Sequence, residues 1–70
     1  MELQPIRSDS LAAVGYDDKT STLYVEFRHG GLYAYHEVPA ELYAELLAAQ
    51  PHPWTQLAER VKSHRYTVLS

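Results

Sequence analysis

Apolar and polar side chains alternate most clearly between Thr22 and Arg28, with Leu23, Val25 and Phe27 on one face. This period of two, rich in β-branched and aromatic residues, predicts a half-buried strand. Leu11–Tyr16 is a shorter mixed run stopped by the turn cluster Asp17-Asp18-Lys19. His29-Gly30-Gly31 offers the positive-φ positions of a tight hairpin, and Leu32–Val38 reads as the returning strand. Beyond Val38-Pro39 the period lengthens. Leu42, Tyr43, Leu46 and Leu47 share one side of a predicted helix, with Glu41 and Glu45 set away from them. Gln50-Pro51-His52-Pro53 breaks that helix and starts another, in which Trp54, Leu57, Ala58 and Val61 follow i, i+3, i+4, i+7 spacing. Tyr66–Leu69 is either a short last strand or a tail against the core. The expected fold is therefore α+β: a three-stranded antiparallel meander packed against two helices, βββαα, with an optional C-terminal strand.

The hairpin leaves two registers open. A three-residue loop, His29–Gly31, sets Phe27 opposite Tyr33 and Val25 opposite Tyr35, so both tyrosines join the core face. A two-residue loop exchanges the faces, leaving Tyr24, Tyr33 and Tyr35 as an exposed platform. The first fills a small core with rings; the second suits base stacking. The need for buried apolar area favours the first.

At 70 residues there is room for one domain, spanning 1–70 with a core over about 8–66. The 46% hydrophobic and 21% charged content is that of a folded globular chain. With no cysteine, disulfides, thiolate metal sites and a cysteine nucleophile are excluded. A net charge of -3 excludes a polybasic clamp on nucleic acid. Charge is uneven, however: residues 1–50 carry eight acidic and three basic side chains, and residues 51–70 carry three basic and one acidic. No apolar run approaches a membrane span, and Met1–Pro5 lacks the basic start and apolar stretch of a secretory signal, so the expected location is the cytoplasm.

Candidate chemistry is sparse. His29, His36, His52 and His64 show no metal-ligand spacing, so no metal or cofactor is expected. Ser8-Asp9-Ser10 lacks the base, orienting group and oxyanion hole of a nucleophile, and reads instead as local turn hydrogen bonding. Gly30-Gly31 leads into a strand and makes no phosphate cradle. Arg60, Lys62, His64 and Arg65, with Arg7 and Arg28, form the main cationic group. Its plain reading is a solvated helix end that suits the dipole; its functional reading is a phosphate strip beside tyrosines.

Ser8-Asp9-Ser10, Val14-Gly15-Tyr16-Asp17, Leu23, Val25, Phe27, Gly30, Tyr33-Ala34-Tyr35, Val38-Pro39, Tyr43 and Leu46 occur in that order. This series resembles the KTSC domain, a module found at the C-terminus of some lysyl-tRNA synthetases and as free-standing bacterial proteins. One departure is Gln50-Pro51-His52-Pro53-Trp54, where family members usually carry a Ser/Gly-containing bend. The resemblance implies a non-catalytic accessory module with a role in binding RNA. Tyr24, Tyr33, Tyr35, Arg28, Arg60, Lys62 and Arg65 are the residues that would carry that binding. The alternative is a protein-interaction module or homodimer anchored by Trp54 and Tyr66.

Overall fold

The computed structural model describes residues 2–70. Its elements are β1 (Gln4–Pro5), β2 (Leu11–Asp17), β3 (Thr22–Phe27), β4 (Leu32–Tyr35), α1 (Ala40–Ala48), α2 (Pro53–Lys62) and β5 (Tyr66–Val68). The strands form one antiparallel sheet in the order β1-β2-β3-β4-β5. The α+β class and both helices are as the periodicity predicts, but the sheet has five strands rather than three. β5 is the optional C-terminal strand. β1 has no sequence signature, being two residues long and ending in a proline; it exists because the edge of β2 offers it partners, Gln4 facing Val14 and Pro5 facing Ala13.

A bulge in β2 decides which residues reach the core. Leu11 faces Phe27 and Ala13 faces Glu26, so one extra residue interrupts the ladder. That insertion reverses the alternation, placing both Leu11 and Val14 on the helix-covered side, where each is fully buried. Leu23 and Val25 join them from β3, and Leu42, Leu46, Leu57 and Val61 close over them from the helices. Each such side chain contributes roughly 1.5–3 kcal/mol by leaving water. On the other face Gly15 has a packing role. A Cβ there would lie 2.7 Å from the Glu2 carbonyl oxygen and 2.9 Å from Leu3 Cδ2, because the segment leading into β1 crosses directly over it.

The helix ends follow the sequence. Pro39 caps α1 in extended conformation and Glu41 occupies its first turn; Pro53 opens α2, with Arg60 and Lys62 in its last turn. Gln50 ties the inter-helix turn to the N-terminal segment: its Oε1 accepts from the Arg7 amide at 2.8 Å and its amide donates to the Leu47 carbonyl at 2.9 Å. The Gln50–Pro51 peptide is cis. Ser8 Oγ accepts from the Ser10 and Leu11 amides at the start of β2, the local role that the serine–aspartate–serine run suggests.

The hairpin fork resolves on the core side with a shifted register. Val25 faces Tyr33 and Leu23 faces Tyr35. The loop comprises Arg28–Gly30, closed by the Phe27 amide donating to the Gly31 carbonyl (3.0 Å) and the Gly30 amide to the Phe27 carbonyl (3.1 Å). Gly30 and Gly31 both have positive φ, which sets the turn one residue earlier than His29–Gly31. Because the pairing moves by an even number of residues, the faces are unchanged.

Candidate functional site

Tyr33 and Tyr35 stand two residues apart on β4, so their rings lie side by side on one face, 6.2 Å between centroids and 15° from parallel. Tyr66, paired with Tyr35 across β4 and β5, adds a third ring 5.8 Å from Tyr35 and 5.7 Å from Tyr33. Phe27 at the end of β3 meets Tyr33 edge-on at 5.4 Å and Trp54 edge-on at 5.2 Å. His29 stacks on the outer side of Phe27 at 5.6 Å. The sheet thus supplies the floor of a cleft, and the first turn of α2 supplies one wall through Trp54.

Lys62 is the cation of this cleft. It lies eight residues after Trp54, about 12 Å along the helix axis. Its long side chain closes that gap, leaving Nζ 5.7 Å from the Trp54 ring centroid. This is cation–π range, on the order of 0.5–1 kcal/mol at an exposed site. Two cavities meet here. One of about 270 Å³ is lined by Ser10, Phe27, His29, Tyr33, Tyr35, Trp54 and Lys62. The other, of about 210 Å³, is lined by Tyr33, Tyr35, Lys62 and Tyr66. Tyr33, Tyr35 and Lys62 form the ridge they share.

The tyrosines differ in exposure. Tyr35 is 4% exposed, Tyr33 half-buried and Tyr66 57% exposed. Burial raises the Tyr35 phenol above its ordinary value, and the neighbouring Tyr33 and Tyr66 phenols push it the same way. Tyr35 is therefore a protonated donor at neutral pH.

The other residues singled out from the sequence do not gather here. Tyr24 faces Gly15 and Ala34 on the opposite side of the sheet from Tyr33 and Tyr35. Arg60 is held by Glu45 of α1 in a two-pronged pair at 3.1 and 2.7 Å. That hydrogen bond, above all, holds the Glu45 carboxyl below the usual range. Arg65 pairs with Glu37 at 2.9 Å, and Arg28 Nε donates to the Ser8 carbonyl at 2.7 Å. The four cations therefore make no continuous strip; Lys62 alone lines the ring-walled cleft. Trp54 and Tyr66 lie in that same cleft rather than on a separate surface. Ser10, Phe27 and His29 are the lining residues that the sequence reading left out of its site. Phe27 could have been found, since it ends the core-facing alternation of β3 just before the glycine turn.

A five-stranded sheet with two helices on one face and a ring-lined cleft at its uncovered end describes a small α+β domain. The family model of the KTSC domain matches residues 7–53, and the chain belongs to that family. A protein of Tsukamurella paurometabola is 42% identical over 48 residues, covering 69% of this chain and 72% of that protein. An uncharacterized protein of Stutzerimonas stutzeri is 43% identical over 49 residues, covering 70% and 69%. The crystal structure of a KTSC domain protein from Yersinia pestis shares the fold, with a TM-score of 0.90 at 23% identity over 99% of this chain and 97% of that one. Phe27, Tyr33 and Tyr35 fall inside the family match; Trp54, Lys62 and Tyr66 follow it. Among the described residues no helix is long and apolar enough to cross a membrane, and no group of three potential metal ligands converges.

Proposed function

We propose that this domain is a non-catalytic accessory module that binds single-stranded RNA weakly in the aromatic cleft. The observation that carries this reading is the pair of cavities meeting at Tyr33, Tyr35 and Lys62, with Phe27 and Trp54 as further ring walls. Every base has a π-face, and each stacked base is worth roughly 1–3 kcal/mol. A side-chain ammonium beside those rings supplies a phosphate contact. With Arg60 and Arg65 committed to carboxylates and Arg28 turned to the Ser8 carbonyl, the phosphate contacts reduce to Lys62. One such contact gives a salt slope of about −0.7 for a single strand. Titrating labelled tRNA and single-stranded RNA at two salt concentrations tests this. The expected result is salt-sensitive binding with Kd near about 0.1 mM, equivalent to about 5.5 kcal/mol. Absence of salt-sensitive binding into the millimolar range overturns it.

One observation favours a second reading, pairing with protein or with another copy. The exposed large hydrophobics, Tyr66, Val68 and Leu69, all lie on or beside β5, the outer strand of the sheet. An edge strand with apolar side chains is a template for pairing. Trp54 and Tyr66 would anchor such a contact. Sedimentation at rising concentration decides the homodimer form: a particle of twice 8.0 kDa supports it, and an unchanged 8.0 kDa particle removes it.

A further inference from the structure

The two edges of the sheet are finished differently. At one edge lies β1, only two residues long. The Ile6 amide beside it donates to the Ala12 carbonyl of β2, so Pro5 holds the position whose N–H would point outward, and proline has none. That edge is closed to an incoming strand. At the other edge β5 contains no proline, lysine or bulge, and every residue from Arg65 to Ser70 is exposed. Its one protection is its length of three residues.

Backbone alternation fixes which groups of β5 are free. The Leu69 amide donates to the Leu32 carbonyl at 2.7 Å, and the His36 amide donates to the Arg65 carbonyl at 2.8 Å. Arg65 and Leu69 therefore turn their backbone groups toward β4, as does Thr67 midway between them, opposite Ala34. The N–H and C=O groups of Tyr66 and Val68 turn the other way, out of the edge. The same two residues carry the most exposed large apolar side chains, at 57% and 56%. Those side chains share the cleft face, Tyr66 opposite Tyr35 and Val68 opposite Tyr33.

We infer that β5 pairs antiparallel with β5 of a second copy, about a twofold axis at Thr67. This rests on the reading of the domain as a homodimer and gives that reading a seam. About this axis Tyr66 faces the partner's Val68 and Val68 faces the partner's Tyr66, so each outward N–H meets an outward C=O. An axis at Tyr66 or at Val68 would set the other residue against one outside the partner's β5. Each pair sets an aromatic ring against a β-branched side chain, a favourable cross-strand combination. Arg65 faces the partner's Leu69, so no like charges oppose one another. An unrelated strand would find the same free backbone groups without this matched pairing. The row Tyr35, Tyr66 then runs on through the partner's Val68 to the partner's Tyr33. Each copy thereby sets Val68 beside the Tyr66 wall of the other's smaller cavity.

Sedimentation up to about 1 mM protein, combined with disulfide trapping in this cysteine-free chain, tests the seam. The mass is expected to rise from 8.0 kDa toward twice that value. Val68→Pro removes an outward N–H without touching the bonds to β4, and should weaken the dimer at least about tenfold. The two Thr67 residues face each other across a non-hydrogen-bonded pair, about 4.5 Å between Cα atoms and within disulfide reach. Thr67→Cys should therefore trap a covalent dimer under mild oxidation, a readout independent of how Val68→Pro folds. Val68→Cys should not, because the register holds the two Val68 positions more than about 7 Å apart. A constant 8.0 kDa particle overturns the seam and the homodimer reading together. A dimer that ignores Val68→Pro, or that traps Thr67→Cys no faster than Val68→Cys, overturns the seam while leaving the homodimer reading standing.

Discussion

Leu23 and Phe27 lie on the same face of β3, four residues apart, yet they belong to different regions of the molecule. Leu23 is sealed with Val14, Val25, Leu46 and Val61, all at 0% exposure. Phe27 remains half-buried and lines a cleft with Tyr33, Tyr35 and Trp54. The helices set the boundary. α1 and α2 have nine and ten residues, about 14–15 Å each, and their aliphatic faces cover one part of the sheet. Toward the start of β4 and along β5, the rings lie instead against the Trp54 and Lys62 side chains. Residue type follows this division. Branched aliphatics fill the dry interior, whereas rings with polar edges build walls that face both protein and water.

The division is most severely tested by truncation on its two sides. Leu46→Ala is expected to cost about 2–5 kcal/mol in denaturant unfolding. A 70-residue domain has roughly 4–10 kcal/mol in total, so this variant should sit near the unfolding threshold. Phe27→Leu should cost about 1 kcal/mol or less in stability, as a shape change at a partly open site, while weakening RNA binding. Similar losses of stability at both positions would erase the distinction between sealed core and cleft wall.

Within the open region the two faces of the sheet should separate in binding. Tyr33→Ala is expected to cost about 1–3 kcal/mol of RNA affinity, the value of one stacked base. Tyr24→Ala, on the opposite face, should leave affinity unchanged. Equal effects in a fluorescence titration would place the ligand somewhere other than the cleft.

Proton titration sharpens the comparison further. The Tyr35 phenol is held above its ordinary value of 10.0, so the folded state keeps that proton more tightly than the unfolded chain does. The associated stability is present below pH 10 and lost as pH rises through the raised value. Phenolate absorbance should show one late-titrating group, missing in Tyr35→Phe. The smallest effect is expected at Glu45, whose carboxyl the Arg60 hydrogen bond lowers from its ordinary value of 4.5. Its contribution is present above pH 4.5 and fades as pH falls through the lowered value. In Arg60→Gln the Glu45 carboxyl should return toward the ordinary range by NMR titration, with the cleft unaltered.

Much of this was legible along the chain. Alternation in Leu23-Val25-Phe27, the glycine pair at the turn and the spacing of Leu42, Leu46, Leu57 and Val61 marked the main elements and their inward faces. The face of Tyr33 and Tyr35 stayed open between two registers, with the need for buried area favouring the core side. The observed pairing lies on that side because it differs from the favoured register by an even shift. These are local properties, encoded within a few residues of each other by backbone geometry. The bulge in β2, the short β1 over Gly15 and the partners of the arginines were not of that kind. Arg60 meets Glu45 fifteen residues away and Arg65 meets Glu37 twenty-eight away, so helix packing and sheet closure chose those pairs. Composition alone determined that this chain could not be a polybasic or thiolate protein. Only the tertiary structure decided that one lysine, rather than four cations, stands among the rings, because a charge acts on whatever carboxylate or ring the fold brings within reach.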